Sequence, residues 1–262
     1  MKGVILAGGS GSRLHPLTLV TNKHLLPVYD KPMIWWPLSY LINAKIRDIF
    51  IVTGGEHFSA IGGLLGSGDE DEMAGIGLRG PVSLAYGVQK KPRGIAHALA
   101  LAQEFSPISP VAVVLGDNIF EDRNFLCEPS KQFPGGAHIF LKEVPDQYLY
   151  EIVGGKRRAK YGIAEVKDGK VVSIEEKPEN PKSNLAVTGA YIYDQRVFMI
   201  TKGLKPSWRG ELEITDVNNR FISEGQMTYT LVQGHWTDAG SVETLKRASD
   251  LAEQWARLQE MD

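Results

Sequence analysis

The chain has 262 residues and a formal net charge of −2, enough for one large domain or two small ones. This near-neutral charge gives no reason to expect a nucleic acid or an anionic membrane as partner, and no apolar run reaches transmembrane length. The single cysteine, Cys127, excludes an internal disulfide and a cysteine-rich metal site and is typical of a reducing compartment. Because the chain opens on an apolar strand pattern rather than a signal peptide, we expect a cytoplasmic protein.

A short apolar run at residues 4–6 predicts a buried strand that stops at a glycine-rich loop. Gly8, Gly9 and Gly11 let backbone N–H groups approach an anion, and Arg13 adds a planar charge that suits phosphate oxygens. The loop lacks the Gly-Lys-Ser/Thr ending of a Walker A loop, and Leu14 occupies the third glycine position of a dinucleotide fingerprint. A nucleotidyltransferase loop and a plain strand–turn–helix corner remain as interpretations.

The next elements alternate between strand and helix. Residues 22–32 read as an extended loop, in which Lys23 reaches the same phosphates or is an ordinary surface lysine. A helix over 33–44, a strand over 48–53 and a helix over 57–65 then predict a parallel sheet. Residues 66–80 read as a loop whose acidic run is a solvated tip rather than a metal site.

Two polar side chains follow predicted strands. After a strand over 82–86, Gln89 is either a reader of a base edge or a solvated loop residue, and a helix follows over 95–104. Asp117 comes directly after the apolar strand 111–115, at the sheet end where ligands bind in open α/β folds. We expect it to be a Mg²⁺ ligand rather than the cap of a turn.

The second half predicts strands over 137–143, 161–166, 170–176, 186–193 and 228–232, with an exposed hairpin over 147–160. Glu176 and Lys177 point to opposite faces of a regular strand, so their spacing alone favours an ordinary exposed pair. Arg209 is an anion contact or part of a surface turn, and residues 236–240 read as a tight turn carrying Asp238. Helices are predicted over 195–202, from 216 to about 223 and over 242–258.

Seven motifs in this order resemble those of the sugar nucleotidyltransferase family, in its glucose-1-phosphate thymidylyltransferase branch. They are LAGGSGSRL (6–14), NKHLLPVYDKPM (22–33), LGDN (115–118), EEKP (175–178), VTG (187–189), RGELEITD (209–216) and WTD (236–238).

The resemblance implies an α/β fold: a single-domain, Rossmann-like, three-layer α/β/α nucleotidyltransferase fold with a mixed central sheet and a sugar-binding subregion. Residues 1–135 would mainly bind nucleotide, 136–240 would mainly bind sugar phosphate, and 241–262 would form the C-terminal helix. The implied reaction is Mg²⁺-dependent in-line attack of α-D-glucose 1-phosphate on dTTP, giving dTDP-glucose and pyrophosphate for deoxysugar synthesis. The family also implies a homo-oligomer, a dimer or a tetramer.

The resemblance also implies roles for individual residues, and it replaces the exposed-pair interpretation of residues 176 and 177. The implied catalytic residues are Arg13, Lys23 and Asp117; the nucleotide-binding residues are Leu6, Gly8, Gly9, Gly11, Ser12, Arg13, Gln89, Gly94 and Asp117; the sugar-phosphate-binding residues are Asn118, Gly162, Glu176, Lys177, Gly189 and Arg209; and the metal ligands are Asp117 and Asp238.

Several features depart from the family pattern. The 66–80 loop is longer than usual, and the hairpin at 147–160 reads as an insertion next to the sugar-binding motifs. The sequence stops before the extra C-terminal helices of longer members, which weakens the expectation of a dTDP-sugar feedback site. The alternatives are a nucleotidyltransferase that uses UTP or another sugar 1-phosphate, and a non-catalytic sugar-nucleotide-binding domain. The second is disfavoured because Arg13, Lys23, Asp117 and Asp238 are all present.

Overall fold

A nine-stranded mixed sheet forms the centre of the computed structural model, which describes residues 1–9, 11–55, 58–207 and 209–259. In chain order the strands are β1 (Lys2–Ala7), β2 (Pro27–Val28), β3 (Lys31–Pro32), β4 (Asp48–Gly54), β5 (Ser83–Gln89), β6 (Val111–Leu115), β7 (Asn118–Phe120), β8 (Ala137–Glu143), β9 (Tyr150–Val153), β10 (Lys156–Ala159), β11 (Gly162–Lys167), β12 (Lys170–Glu176), β13 (Leu185–Tyr193), β14 (Met227–Leu231) and β15 (Trp236–Asp238). The helices are α1 (Trp35–Asn43), α2 (Phe58–Leu65), α3 (Glu70–Gly75), α4 (Ile95–Ala100), α5 (Cys127–Gln132), α6 (Asp146–Leu149), α7 (Arg196–Gly203), α8 (Ile214–Ser223) and α9 (Val242–Gln259).

The sheet combines a parallel half and a mostly antiparallel half, in which β14 is parallel to β8. Its strand order is β12-β11-β13-β6-β1-β4-β5, and β8 pairs with both β13 and β14. Strand β1 is parallel to β4 and β6, and β4 is parallel to β5. Strand β13 runs antiparallel to β6 and joins the two halves. The predicted mixed central sheet is therefore confirmed.

Both faces of the sheet are covered by helices. Along β1, Val4 and Leu6 belong to one buried cluster, while Ile5 and Ala7 belong to the other. Helices α1, α2 and α9 contribute to the cluster with Ile5, and α4, α7 and α8 contribute to the cluster with Val4. A strand that is buried on both faces has a continuous run of apolar residues in its sequence, as residues 111–115 have. The arrangement is the predicted three-layer α/β/α fold.

Two segments that read as loops contain regular structure. Residues 66–80 include α3, because Asp69 accepts from the N–H of Glu72 while the Glu72 carboxylate returns to the Asp69 N–H in a capping box. Residues 236–240 begin with β15, which pairs antiparallel with β7 across more than a hundred residues of sequence. The predicted turn was wrong because that partner is not local.

Element boundaries differ at several other places. Helix α1 begins at Trp35 rather than residue 33, since Lys31 and Pro32 pair with β2 as the strand β3. Helix α4 ends at Ala100 instead of 104, and the predicted start of the second helix at His57 lies outside the described residues. Within the described ranges, no helix is long and apolar enough to cross a membrane.

The segment 147–160 forms the predicted hairpin. The short helix α6 leads into β9 and β10, which pair antiparallel with Glu151 opposite Arg158. Gly154 and Gly155 both have positive φ at the tip. The hairpin lies between the central sheet strands β8 and β11 in sequence, next to the sugar-binding motifs.

Candidate active site

A cavity of about 520 Å³ opens at the carboxyl ends of the parallel strands and extends to the β11–β12 edge. That size suits a small-molecule site. Fifteen of the residues assigned to binding or catalysis from sequence line it: Leu6, Gly8, Gly9, Arg13, Lys23, Gln89, Gly94, Asp117, Asn118, Gly162, Glu176, Lys177, Gly189, Arg209 and Asp238. Both halves of the chain thus contribute to one site.

Gly11 and Ser12 are not among the described residues that line the cavity; they belong to the turn before it. Gly11 has φ +61°, and a Cβ there would lie 2.9 Å from Cγ2 of Thr18. The Thr18 hydroxyl also donates to the Gly11 carbonyl at 2.8 Å. These residues hold the short 3₁₀ helix Ser12–Leu14 that carries Arg13 to the cavity, and their direct contact with nucleotide stays a prediction.

Asp117 is paired with Lys23 at the bottom of the cavity. Lys23 Nζ lies 2.6 Å from Asp117 Oδ2, and the two side chains are only 14% and 15% exposed. Burial alone raises the pKa of Asp117, but the charges of Lys23 and His24 and the hydrogen bonds from Lys23 and Asn118 outweigh burial and hold it well below its usual range. The carboxylate is therefore ionised whenever the protein is folded near neutral pH.

Asp238 provides a second carboxylate beside Asp117. It accepts a hydrogen bond from the Tyr161 hydroxyl at 3.2 Å. Burial raises the pKa of Asp238, the charge of Asp117 raises it further, and Arg13 and Lys23 oppose the shift. Each of these carboxylates makes ionisation of the other less favourable. A cation bound between them would offset this repulsion.

The donor set fits Mg²⁺. The ion prefers one or two carboxylates, with waters and substrate phosphates completing the octahedron. Asp117 and Asp238 could supply two such ligands. Among the described residues, Asp117 Oδ2 accepts one hydrogen bond, from Lys23, and Oδ1 accepts one, from Asn118, which leaves lone pairs on both oxygens. Among the described residues, no group of three or more His, Cys, Asp or Glu could hold a metal alone, so the remaining ligands would come from substrate and water.

Asn118 connects Asp117 to two distant strands. Its Oδ1 accepts from the Gly189 N–H at 2.9 Å and from Trp236 Nε1 at 2.8 Å, while its Nδ2 donates to Asp117 Oδ1 at 3.0 Å. A Cβ on Gly189 would lie 2.5 Å from the Asn118 amide, so only glycine allows this approach. Asn118 lines the cavity, and its amide orients Asp117.

Gln89 presents a defined hydrogen-bonding edge. Its Nε2 donates to His97 Nδ1 at 2.8 Å and to the Gly94 carbonyl at 3.3 Å, which fixes the orientation of the amide. Its Oε1 faces Gly8, where a Cβ would be 3.1 Å away. In the described part of the chain, no donor contacts this oxygen, so it is left to accept from a ligand.

The backbone at residue 177 explains how two adjacent side chains face one cavity. Lys177 has φ +46°, which ends the regular alternation of β12 and brings both Glu176 and Lys177 to the cavity wall. Lys177 Nζ pairs with Glu151 Oε1 at 2.9 Å. Glu176 accepts from the Thr215 hydroxyl at 2.6 Å and lies 3.4 Å from Arg209 Nη1. Both side chains line the cavity, and their contact with a common ligand stays a prediction.

Arg209 is surrounded by three carboxylates. It pairs with Glu211 and, at 3.4 Å each, with Glu176 and Glu213. Burial raises the pKa of Glu213, so this cluster is costly to keep fully ionised. An anion arriving at Arg209 would compete with side chains that already repel one another.

Sequence reasoning missed several lining residues, namely Glu151, Lys160, Tyr161, Thr215 and Trp236, and it also missed His97, which contacts Gln89. His97 and Tyr161 act through Gln89 and Asp238, respectively. Tyr161 and Asp238 belong to elements far apart in sequence, so periodicity gives no signal for their contact, whereas His97 belongs to the helix that directly follows the strand of Gln89. Glu151 and Lys160 belong to the 147–160 segment. The sequence shows only that they are charged residues in a predicted insertion, which does not assign them to the site.

Fold and cavity together define a nucleotide-binding α/β protein built to hold anionic substrates beside two carboxylates. The chain belongs to the nucleotidyl transferase family, whose model matches residues 2–254. It is 41% identical to the glucose-1-phosphate thymidylyltransferase of Neisseria meningitidis, over 100% of this chain and 85% of that protein. The Mycolicibacterium smegmatis protein of the same name is 42% identical, over 95% of this chain and 81% of the relative.

Solved structures give the same grouping. A putative glucose-1-phosphate thymidylyltransferase from Bacillus anthracis, in complex with a sucrose, superposes with a TM-score of 0.82 at 46% identity, covering 96% of this chain and 95% of the other. UDP-glucose pyrophosphorylase complexed with UDP-glucose superposes with a TM-score of 0.81 at 25% identity, covering 97% and 98% of the two chains.

Proposed function

We propose that the protein transfers a deoxythymidylyl group from dTTP to α-D-glucose 1-phosphate, releasing pyrophosphate and forming dTDP-glucose. The observation that carries this proposal is the placement of the Lys23–Asp117 pair and Asp238 between a base-reading amide and the cations Lys177 and Arg209, all in one cavity. The relatives named for this activity at about 40% identity over nearly the whole chain support it.

Gln89 accounts for the choice of base. Thymine carries an N–H at N3, and Gln89 Oε1 is the free acceptor at this end of the cavity, while its NH₂ is held by His97 and Gly94. Cytosine has an acceptor at N3 and would leave two acceptors facing each other. A polar group left unpaired in this way costs far more than a missing apolar contact.

The remaining residues arrange two anions for reaction. Arg13 and Lys23 would hold the triphosphate, and Lys177 and Arg209 would hold the sugar phosphate, with substrate replacing a carboxylate partner at Lys177 and at Arg209. A sugar phosphate oxygen attacks the α-phosphorus in line, the new P–O bond forms, and the bond to the β-phosphate breaks. Because a phosphate monoester is already largely dianionic at pH 7, the attack needs no general base.

Asp117 and Asp238 would hold Mg²⁺, which supplies charge neutralisation at the α-phosphate and at the leaving pyrophosphate. The protein's part is to keep both carboxylates ionised and fixed. Lys23 and Asn118 do this for Asp117, and Tyr161 does it for Asp238. In this arrangement, residues 1–135 mainly serve the nucleotide, and 136–240 mainly serve the sugar phosphate.

A second candidate is the same transfer from UTP. The structural similarity to UDP-glucose pyrophosphorylase favours it, and Gln89 Oε1 accepts equally well from N3–H of uracil. Thymine and uracil differ by one methyl group, which a pocket distinguishes by only about tenfold. Use of both nucleotides is therefore compatible with the same site.

The test is pyrophosphate release by the purified protein with Mg²⁺, crossing dTTP, UTP, CTP, ATP and GTP with a panel of sugar 1-phosphates. We expect release with dTTP and glucose 1-phosphate, a weaker rate with UTP, and none with CTP. Arg13→Ala should raise the nucleotide requirement and lower turnover, whereas Arg257→Ala, on the exposed face of α9, should change neither. No release with any pair would contradict the proposal and favour a non-catalytic sugar-nucleotide-binding domain.

A further inference from the structure

The 147–160 hairpin forms part of the cavity wall at its sugar-phosphate end. Glu151 on β9 and Lys160 just after β10 both line the cavity. Glu151 is also the ion-pair partner of Lys177, with the two side chains 23% and 28% exposed. The hairpin thus contacts Lys177, which binds the sugar phosphate in the proposed function.

The hairpin is fastened to the segment that carries Lys177. Arg158 Nη2 and Lys156 Nζ lie 2.7 and 3.2 Å from Glu179 Oε1, and the Ala159 N–H donates to the Pro178 carbonyl at 2.9 Å. These contacts place Glu151 opposite Lys177 from a short paired strand rather than from a loose loop. The position of its carboxylate is therefore fixed relative to the cavity.

We propose that Glu151 is a specificity-determining residue that selects sugar 1-phosphates by charge, disfavouring sugars with an additional anionic group and favouring sugars with an ammonium group. This inference rests on the proposed function. A phosphate bound by Lys177 would take over its ammonium, which leaves the Glu151 carboxylate without its partner. That carboxylate would then lie within about 6 Å of the phosphate, given ordinary hydrogen-bond lengths on both sides of Lys177 Nζ.

The charge of the Glu151 carboxylate also acts on substituents of the sugar ring, because the ring is attached to that phosphate. A charged ring substituent would lie roughly 5–10 Å from Glu151, inside the distance over which partly buried charges still interact at physiological salt. An ammonium group is attracted and a carboxylate is repelled, while a neutral hydroxyl is affected much less. We expect the discrimination to be about threefold to tenfold for each charge.

The test compares wild-type protein with Glu151→Gln, using dTTP and three probes at pH 7.0: glucose 1-phosphate, glucosamine 1-phosphate and glucuronic acid 1-phosphate. The readout is kcat/KM relative to glucose 1-phosphate, or Ki against it where a probe does not react. In Glu151→Gln the glucosamine preference should fall by about threefold to tenfold, and the glucuronate disadvantage should shrink by a similar factor. Glu151→Asp, which keeps the charge, should retain the wild-type ranking.

Glu128→Gln is the matched control, because it removes an exposed carboxylate, paired with Lys131, that neither holds the hairpin nor is one of the described lining residues. It should leave both ratios within about twofold of wild type. Unchanged ratios in Glu151→Gln, or the same change in Glu128→Gln, would overturn the inference. Absence of wild-type turnover with dTTP and glucose 1-phosphate would instead refute the proposed function.

Discussion

The Lys23–Asp117 pair concentrates the chemistry of the site in two side chains. Asp117 is buried, ionised and held by Lys23 at 2.6 Å and Asn118 at 3.0 Å. Burial of both members means that solvent does little to screen their charges. A change that neutralises one member alters the charge balance of the site and, under the proposed function, its binding of Mg²⁺.

Asp117→Asn should lower kcat at least a hundredfold, because a neutral amide neither ligates Mg²⁺ well nor balances Lys23. Asparagine keeps the volume of the side chain, so the protein should still fold, with a loss of about 1–3 kcal/mol in the free energy of unfolding. Steady-state pyrophosphate release and urea unfolding measure the two effects. Asp250→Asn, which breaks an exposed pair with Lys246 on α9, is the control. Near-normal turnover of Asp117→Asn at saturating Mg²⁺ would refute the assigned role.

His138 predicts a pH dependence of stability. Its ring lies between the Thr228 and Thr230 hydroxyls at 2.8 and 3.0 Å, and burial lowers its pKa to about 4. The unfolded chain binds this proton near pH 6.5, so the unfolded state gains protons first, and stability decreases as pH falls from about 6.5 to 4. After allowance for its partial exposure, the loss should be about 1–2 kcal/mol.

Urea unfolding at pH 7 and pH 5 measures this loss, and His138→Gln should show a smaller difference between the two pH values. His235→Gln, at an exposed position, serves as control for the replacement of a histidine by glutamine. If the free energy of unfolding depends on pH equally in wild type and His138→Gln, burial does not lower the pKa of His138 in the native state.

At the scale of elements, α3 shows how a polar run becomes ordered. Glu72 Oε2 accepts from the N–H groups of Ser67, Gly68 and Asp69 at 2.8–3.0 Å, and Asp69 accepts from the Glu72 N–H at 2.9 Å. One carboxylate thereby satisfies three backbone donors that lie before the helix. The acidic run is largely exposed to solvent, as predicted, but it forms the start of a helix rather than a loop.

Glu72→Ala should lower the free energy of unfolding by about 1–2 kcal/mol, because the three backbone N–H groups lose their acceptor and the capping box is lost with it. Turnover should stay within about twofold, since α3 contributes none of the described lining residues. Glu70→Ala, an exposed position in the same first turn, is the matched control and should change stability by less than about 0.5 kcal/mol. Equal losses in the two variants would mean that general helix charge, rather than capping, stabilises α3.

At the scale of the whole molecule, ligand binding should stabilise both halves together, because the cavity is lined by residues from Leu6 to Thr244. With Mg²⁺ and dTTP at about a hundred times Kd, linkage adds about 2.7 kcal/mol, or roughly 5–10 °C in Tm. Asp238→Asn should reduce that shift, and CTP should produce little of it. An increase in Tm with CTP equal to that with dTTP, measured by calorimetry, would show that the base is not read through Gln89.

The predicted dimer or tetramer is tested in the same samples by sedimentation.

The sequence by itself determined the parallel core and the residues that end its strands. The strand 111–115 is an unbroken apolar run with its predicted bounds, and Asp117 follows it directly, so local periodicity and the direction of parallel strands suffice to place the carboxylate. The same reasoning places Gly8 after β1 and Gln89 at the end of β5, the two strands on either side of β4. From spacing alone, however, Glu176 and Lys177 read as a surface pair, and only the family motif assigned them to the site.

Tertiary structure decided what those residues contact. Asp238 reaches Asp117 because β15 pairs with β7, Asn118 holds Gly189 and Trp236 from two other strands, and Glu151 reaches Lys177 from the 147–160 hairpin. Each of these contacts depends on strand register and on close approach between segments far apart in sequence. Propensity and periodicity act over a few residues and carry no information about such pairings, whereas packing of the whole chain selects one of them.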